Sequence, residues 1–166
     1  MALVTELVER LTANLTATAG LTTAQVPLAL EDHFQLASGT GSGQADKIYT
    51  LRNTLGASAA ASLDLAGSLS DGLGTALTFV TIKLVRVTAA SGNTNDVQVT
   101  RPASNGAPLF LAAGDGLSVR PGGVFTWCAP GVGVTVTAAT GDLLTFTNSA
   151  GSTGVTYDVV IIGTSA

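Results

Sequence analysis

Only one histidine, His33, and one cysteine, Cys128, stand in this chain of 166 residues. His33 follows Glu31 and Asp32, a run in which imidazole and carboxylates together suggest a metal site. Transition-metal sites draw on two or more His or Cys ligands, however, and the only other soft ligand is far away in sequence. Cys128 follows Trp127 in an apolar stretch. A nucleophilic cysteine needs a nearby base and an electropositive, accessible setting, so Cys128 reads as a small buried hydrophobe. No G-x-S-x-G elbow is present, and a Ser-His-Asp triad would again depend on His33. Gly39-Thr40-Gly41-Ser42-Gly43 lacks the Gly-Lys-Ser/Thr ending and the helix of a phosphate loop, and reads as a hinge. Asp64, Asp71, Asp96, Asp115, Asp142 and Asp158 are the carboxylates that a paired acid–base site would draw on. Asp71, Asp115 and Asp142 sit beside glycines in turns, where Asp hydrogen-bonds its own backbone. A sugar site would also want exposed aromatic rings, and the chain has one Trp and two Tyr. A weak Ca²⁺ loop is the remaining alternative. No residue is assigned as catalytic, cofactor-binding or metal-ligating, and no cofactor is expected.

The composition points elsewhere. Seven basic and eleven acidic residues give a net charge of −4. Lys47, Arg52, Lys83, Arg86, Arg101 and Arg120 are scattered singly, so neither the basic stripe of a nucleic-acid binder nor a polybasic membrane anchor is present. Charged residues make up 11% of the chain, against about 25% in ordinary soluble domains. The surface must then be covered largely by Thr, Ser, Ala and Gly. Such a surface gives up its water easily and suits packing against other protein. A single cysteine excludes a disulfide scaffold. The opening MALVTELVERL has no basic segment and is interrupted by Glu6 and Glu9, so it does not read as a secretory signal. The strong apolar run Val159-Val160-Ile161-Ile162 is too short to cross a bilayer as a helix.

The elements that must position these residues are short strands. Residues 45–166 alternate strand-like runs of five to eight residues with turn signals every 8–12 residues. Residues 46–55, 57–66, 77–89, 124–128 and 155–162 read as strands. The stretch 77–89 is apolar on both faces and therefore belongs inside a sheet. Val97 and Val99, then Val132, Val134 and Val136, alternate with polar neighbours. Asp71-Gly72, Ser91-Gly92-Asn93, Asp115-Gly116, Pro121-Gly122-Gly123 and Thr140-Gly141-Asp142 mark turns. No 10–15-residue helix separates the strands, which argues against a parallel α/β sheet. The expected fold is all-β, a jelly-roll-like antiparallel β-sandwich with an N-terminal arm. The arm covers residues 1–38, a Gly/Ser hinge 39–44 and the sandwich body 45–166. Within the arm, Val4, Leu7, Val8, Leu11 and Leu15 fall at helical spacing while Thr5, Thr12, Thr16 and Thr18 favour extended chain. Residues 3–18 therefore read as a strand or a short helix. Val26, Leu28 and Leu30 alternate as in a strand.

Several segments together carry a resemblance. They are Ala45-Asp46-Lys47-Ile48-Tyr49, Leu63-Asp64-Leu65-Ala66-Gly67-Ser68-Leu69, Val119-Arg120-Pro121-Gly122-Gly123, Thr140-Gly141-Asp142-Leu143-Leu144 and Val155-Thr156-Tyr157-Asp158-Val159-Val160-Ile161-Ile162-Gly163. The combination resembles small β-rich structural proteins of tailed bacteriophages, of the capsid decoration (cement) type, over residues 45–166. The resemblance implies a non-enzymatic virion component, made in the bacterial cytoplasm and carried on the outer surface of the head. Its expected partners are further copies of itself, as a homotrimer, and the major capsid protein or another virion protein, with no nucleic acid and no membrane. A tail, collar or head-fibre component is the alternative. Another is a carbohydrate- or receptor-binding sandwich presenting Trp127 or Tyr157.

Overall fold

In the computed structural model residues 2–67 and 69–166 are described, Ala19 by its backbone only. Met1 of the expected arm and Ser68 of the Leu63–Leu69 segment lie outside the described residues. Every regular element among them is a strand. In chain order these are β1 (Thr5–Ala19), β2 (Thr22–Ser38), β3 (Gln44–Ala45), β4 (Lys47–Leu55), β5 (Ala60–Asp64), β6 (Leu69–Ser70) and β7 (Ala76–Leu77). There follow β8 (Thr81–Ala89), β9 (Val97–Thr100), β10 (Gly116–Val119), β11 (Val124–Cys128), β12 (Val134–Thr135), β13 (Leu143–Asn148) and β14 (Val155–Thr164). The fold is all-β, as the turn spacing predicts, and no helix among the described residues is long and apolar enough to cross a membrane.

Two antiparallel sheets make the body. One runs β11-β8-β14-β4, with β12 also pairing β8; the other runs β10-β9-β13-β5. When these eight main strands are counted along the chain, the first sheet is sixth, third, eighth, first. The second is fifth, fourth, seventh, second. Every connection between successive main strands crosses from one sheet to the other, except the one from β9 to β10. Alternation then builds a shared core. Tyr157, Val159 and Ile161 of β14 and Val85 and Val87 of β8 face Val97 and Val99 of β9 and Leu144 and Phe146 of β13. All are nearly or fully buried in one cluster. The Phe146 and Tyr157 rings stack at 4.9 Å between centroids.

β14 is hydrogen-bonded on both sides, to β4 and β8, and its register on β8 slips between Ile162 and Gly163. The slip brings the Thr81 backbone against Gly163, where a Cβ would sit 2.1 Å from the Thr81 carbonyl oxygen. Only glycine fits there.

The expected single strand over 77–89 is corrected to two pieces. The Phe79 amide bonds to the Leu65 carbonyl and the Val80 amide to the Thr164 carbonyl, so the chain changes partner there before β8 begins. The alternation at Val132, Val134 and Val136 yields only the short β12, because Thr137 turns back to bond Gly141. β8 is buried at Lys83, Val85, Val87 and Ala89 on one face, and on the other at Ile82 and Leu84 but not at the exposed Arg86. Lys83 within it is nearly buried, and its ammonium is held by the carbonyl oxygens of Gly131 and Val132.

Polar groups close the far end of the sandwich. Asn148 is buried, and its amide donates to the carbonyls of Gly56 at 2.9 Å and Thr153 at 2.6 Å. Asn95 donates to the Asn148 side-chain oxygen at 3.0 Å. Asn148→Ala removes the buried donor of these bonds and the acceptor of the Asn95 amide. It is expected to cost about 1–3 kcal/mol, seen as a lower urea midpoint with an unchanged slope.

Candidate functional site

β1 and β2 form one long hairpin in continuous register, from Thr5 opposite Leu36 to Ala19 opposite Thr22. Its fifteen paired positions span about 50 Å at the usual strand rise. The two-residue loop is Gly20-Leu21, with Gly20 at φ +62°, a left-handed value suited to the first position of a tight hairpin turn. The helix alternative for residues 3–18 is thereby corrected. β-Branched Thr5, Thr12, Thr16 and Thr18 favour the pleat, and each β1 residue finds a cross-strand partner.

Opposite residues share a face, so the register divides the arm into two unlike sides. One side pairs Leu7 with Phe34, Leu11 with Leu30, Ala13 with Leu28, Leu15 with Val26 and Ala17 with Ala24. Its only charged layer is Glu9 opposite Asp32, and Thr5 and Thr22 stand at its two ends. The other side carries Glu6, Val8, Arg10, Thr12, Asn14, Thr16 and Thr18 against Gln35, His33, Glu31, Ala29, Pro27, Gln25 and Thr23. From Leu11 to Leu30 there is no charged residue at all.

The base of the apolar side is anchored on the body. Leu36 is buried in a small second cluster with Ala45, Leu84 and Ile162, against which Leu3, Leu7, Cys128 and Val160 pack. Beyond this base the apolar side has nothing over it. Leu11, Leu15, Val26, Leu28 and Leu30 remain 45–72% exposed. A two-stranded ribbon standing alone is marginal in water, and exposed apolar residues gathered on one side mark an interaction surface.

The segment read as a hinge is a tied turn. The Ala37 amide bonds to the Gly43 carbonyl at 3.0 Å, Gly39 to Ala45 at 3.2 Å and Gly43 to Pro130 at 2.9 Å. The Gln44 side chain accepts from the Gly41 amide. β3 then pairs with the end of β2 in parallel. The Gly/Ser stretch fixes the arm's exit instead of freeing it.

His33 lies on the polar side of the arm. Its Nε2 is 2.7 Å from Glu31 and its Nδ1 is 3.5 Å from Glu6, while Arg10 lies 3.7 Å from Glu31. Hydrogen bonding to Glu31, and secondly to Glu6, holds the imidazole's pKa above its ordinary value. Because the folded value is raised, this contribution is fully present below the unfolded pKa. It is lost as pH rises through the folded one. A proton-NMR titration of the His33 ring is expected to show a midpoint above that of a free histidine. Glu31→Gln should lower it more than Glu6→Gln; the reverse order would contradict the arrangement.

The remaining candidates are spent on structure. Burial, and then the charge of Glu9, pushes the Cys128 thiol's pKa up, away from a reactive thiolate. Asp64 accepts from the Ala66 amide, Asp71 from Leu73 and Thr75, Asp115 from Ala112 and Asp142 from Ala139. Asp158 holds Arg52 at 2.6 and 2.7 Å, which draws its pKa down, and Asp96 faces Arg120 at 3.6 Å. Among the described residues no three His, Cys, Asp or Glu side chains are grouped to hold a metal ion. Tyr157 is buried under Phe146, and its hydroxyl accepts from Asn53 at 3.3 Å. Trp127 is half-buried against the core. A glycan platform built on Tyr157 is thereby overturned.

Sequence reasoning did not single out the apolar side of the arm. The signal was present as apolar residues at even numbers in β2 and odd numbers in β1, a pattern that becomes one surface only once the turn at Gly20 sets the register. Fold and site together define a two-sheet β body bearing a long hairpin, charge-free from Leu11 to Leu30 and exposed along its apolar side. No family model, no curated protein and no solved structure matches the chain.

Proposed function

We propose that this is a non-enzymatic structural protein of a tailed-phage virion, a decoration protein that binds the outside of the head and stabilises its shell of major capsid protein. The observation that carries the reading is the projecting hairpin, anchored through Leu36 and open along its apolar side. A protein that works alone in solution has no use for such a surface. The strand order supports the finer fold. First, eighth, third and sixth strands in one sheet, with second, seventh, fourth and fifth in the other, is the order that two Greek keys give when wrapped as a jelly roll. That architecture is shared by capsid and lectin domains.

In this reading the body seats on the shell and the arm reaches a neighbouring molecule. Many weak, identical contacts then add up through avidity. The outer edge of β1 is free to accept a further strand. The outer edge of β2 is interrupted by Pro27, whose missing amide faces away from β1, since the pair flanking a two-residue turn is the mutually bonded one and the pairs alternate from there. The trimer implied by the resemblance would crowd the Glu9–Asp32 positions of three arms if it were built on them, so the proposal stops at self-association.

The test is co-sedimentation with undecorated heads of the encoding phage, followed by heating. Binding in many copies with a raised temperature of DNA release is expected. Heads that neither bind the protein nor gain stability would overturn the proposal. A few copies per particle, confined to the tail or collar, would replace it with the tail-component reading.

A further inference from the structure

The apolar side of the arm grades in size from base to tip. Leu11 and Leu30 lie nearest the body, Ala13 and Leu28 next, Leu15 and Val26 in the middle, then Ala17 and Ala24, with Thr22 at the turn. The one acidic layer, Glu9 with Asp32, sits at the base end. These two gradients select how such a surface can be covered by its like.

If two arms faced each other in parallel, Glu9 would lie over the Asp32 of the other copy and four carboxylates would share one layer. Three parallel arms would gather six. An antiparallel pair about a two-fold axis at the Leu15–Val26 layer separates these carboxylates. Leu15 meets Leu15 and Val26 meets Val26. Leu28 lies over Ala24, and Leu30 over Thr22. The acidic layers fall beyond the turns of the opposite arm, at opposite ends and in water. Large against small is how packed faces interdigitate, and separation of like charge is what specific interfaces enforce.

The area is sufficient. The five exposed aliphatic side chains and the alanines between them make a face of about 500 Å², near the largest patches seen on monomers. Covering it on two copies buries about 1,000 Å², the floor for a specific interface. No charged side chain between Leu11 and Leu30 has to be desolvated.

We propose that the occupant of this face is the same face of a second copy, packed antiparallel, so that the two arms form a two-layer, four-stranded clasp between molecules. The inference stands on the arm alone and does not require the shell.

The test uses the full chain. Light scattering behind a sizing column is expected to give twice 16.5 kDa. A spin label at Val8→Cys, on the polar side and in a Cys128→Ser background, is expected to report its copy at about 50 Å, fourteen strand steps away. Leu28→Asp is expected to give a monomer whose body melts at the wild-type temperature, which separates lost pairing from lost folding. A wild-type monomer at all accessible concentrations overturns the clasp. So does a dimer with Val8 labels closer than about 25 Å, which needs parallel arms, or a trimer, which leaves one arm face without an antiparallel partner. A monomer that still binds heads would sink the clasp and leave the virion reading. A clasped dimer indifferent to heads would do the opposite.

Discussion

Phe146→Ala is expected to lower the melting temperature of the body by about 10–20 °C, the equivalent of about 3–5 kcal/mol for a ring truncated in a packed core. Phe146 is 1% exposed and stands where the two sheets meet, stacked on Tyr157. Removing the ring leaves a cavity between strands whose backbones are fixed by antiparallel ladders, β13 on β5 and β9. The walls therefore collapse only in part. The offset stack with Tyr157 adds about 1 kcal/mol of its own. Phe146→Leu keeps most of the volume and should recover more than half of the loss. A melting temperature unchanged in the alanine variant, by calorimetry, would mean that the two sheets do not share this core.

The second large effect concerns the arm and leaves the body standing. Leu36 is 2% exposed and is the buried side chain by which the hairpin grips the body, against Leu84 and Ile162. Leu36→Ala removes buried aliphatic volume worth about 2–5 kcal/mol. The arm's base has few other apolar anchors, chiefly Leu3 and Leu7. The loss should appear as local undocking, not as global unfolding. Cys128 reports it directly, because it packs in the same small cluster and its thiol is held above the usual pKa by burial. Labelling of Cys128 by a thiol reagent is expected to accelerate by 10-fold or more, on the order of the undocking free energy. Protease cleavage between residues 36 and 45 should rise with it, while the body's melting temperature stays within a few degrees. An unchanged labelling rate would show that the arm is held by something other than Leu36.

Both effects follow from where apolar side chains end up, and the sequence was unevenly informative about that. The all-β character was legible because turn signals recur too closely for helices and because Val97 and Val99, Leu144 and Phe146, and Tyr157, Val159 and Ile161 each alternate with their neighbours. The inner position of β8 was legible in the apolar residues its stretch carries on both faces, although Arg86 opens one of them to solvent. The expectation that Asp71, Asp115 and Asp142 serve their own turns holds because the backbone amides that donate to them lie within four residues. Such bonds depend on local geometry alone.

The arm was ambiguous for a reason intrinsic to periodicity. Leu7, Leu11 and Leu15 recur every fourth residue, and a spacing of four satisfies the helical repeat and the strand repeat alike. Local sequence could not decide between them. The decision belongs to β2, which supplies Phe34, Leu30 and Val26 opposite these three leucines. Likewise, glycines and serines at 39–43 signal a turn, but whether a turn is loose or tied depends on what lies beside it. Here that is Pro130, some ninety residues on, whose carbonyl accepts the Gly43 amide. The bulge at Gly163 is set by the Thr81 backbone, and the burial of Tyr157 by Phe146. What the amino-acid sequence determines by itself is the period, the turns and the scarcity of charge, because these depend on composition and on neighbours a few bonds away. What only the tertiary structure decides is which apolar face is covered by the body and which is left bare, because burial is a property of surfaces brought together across the whole chain.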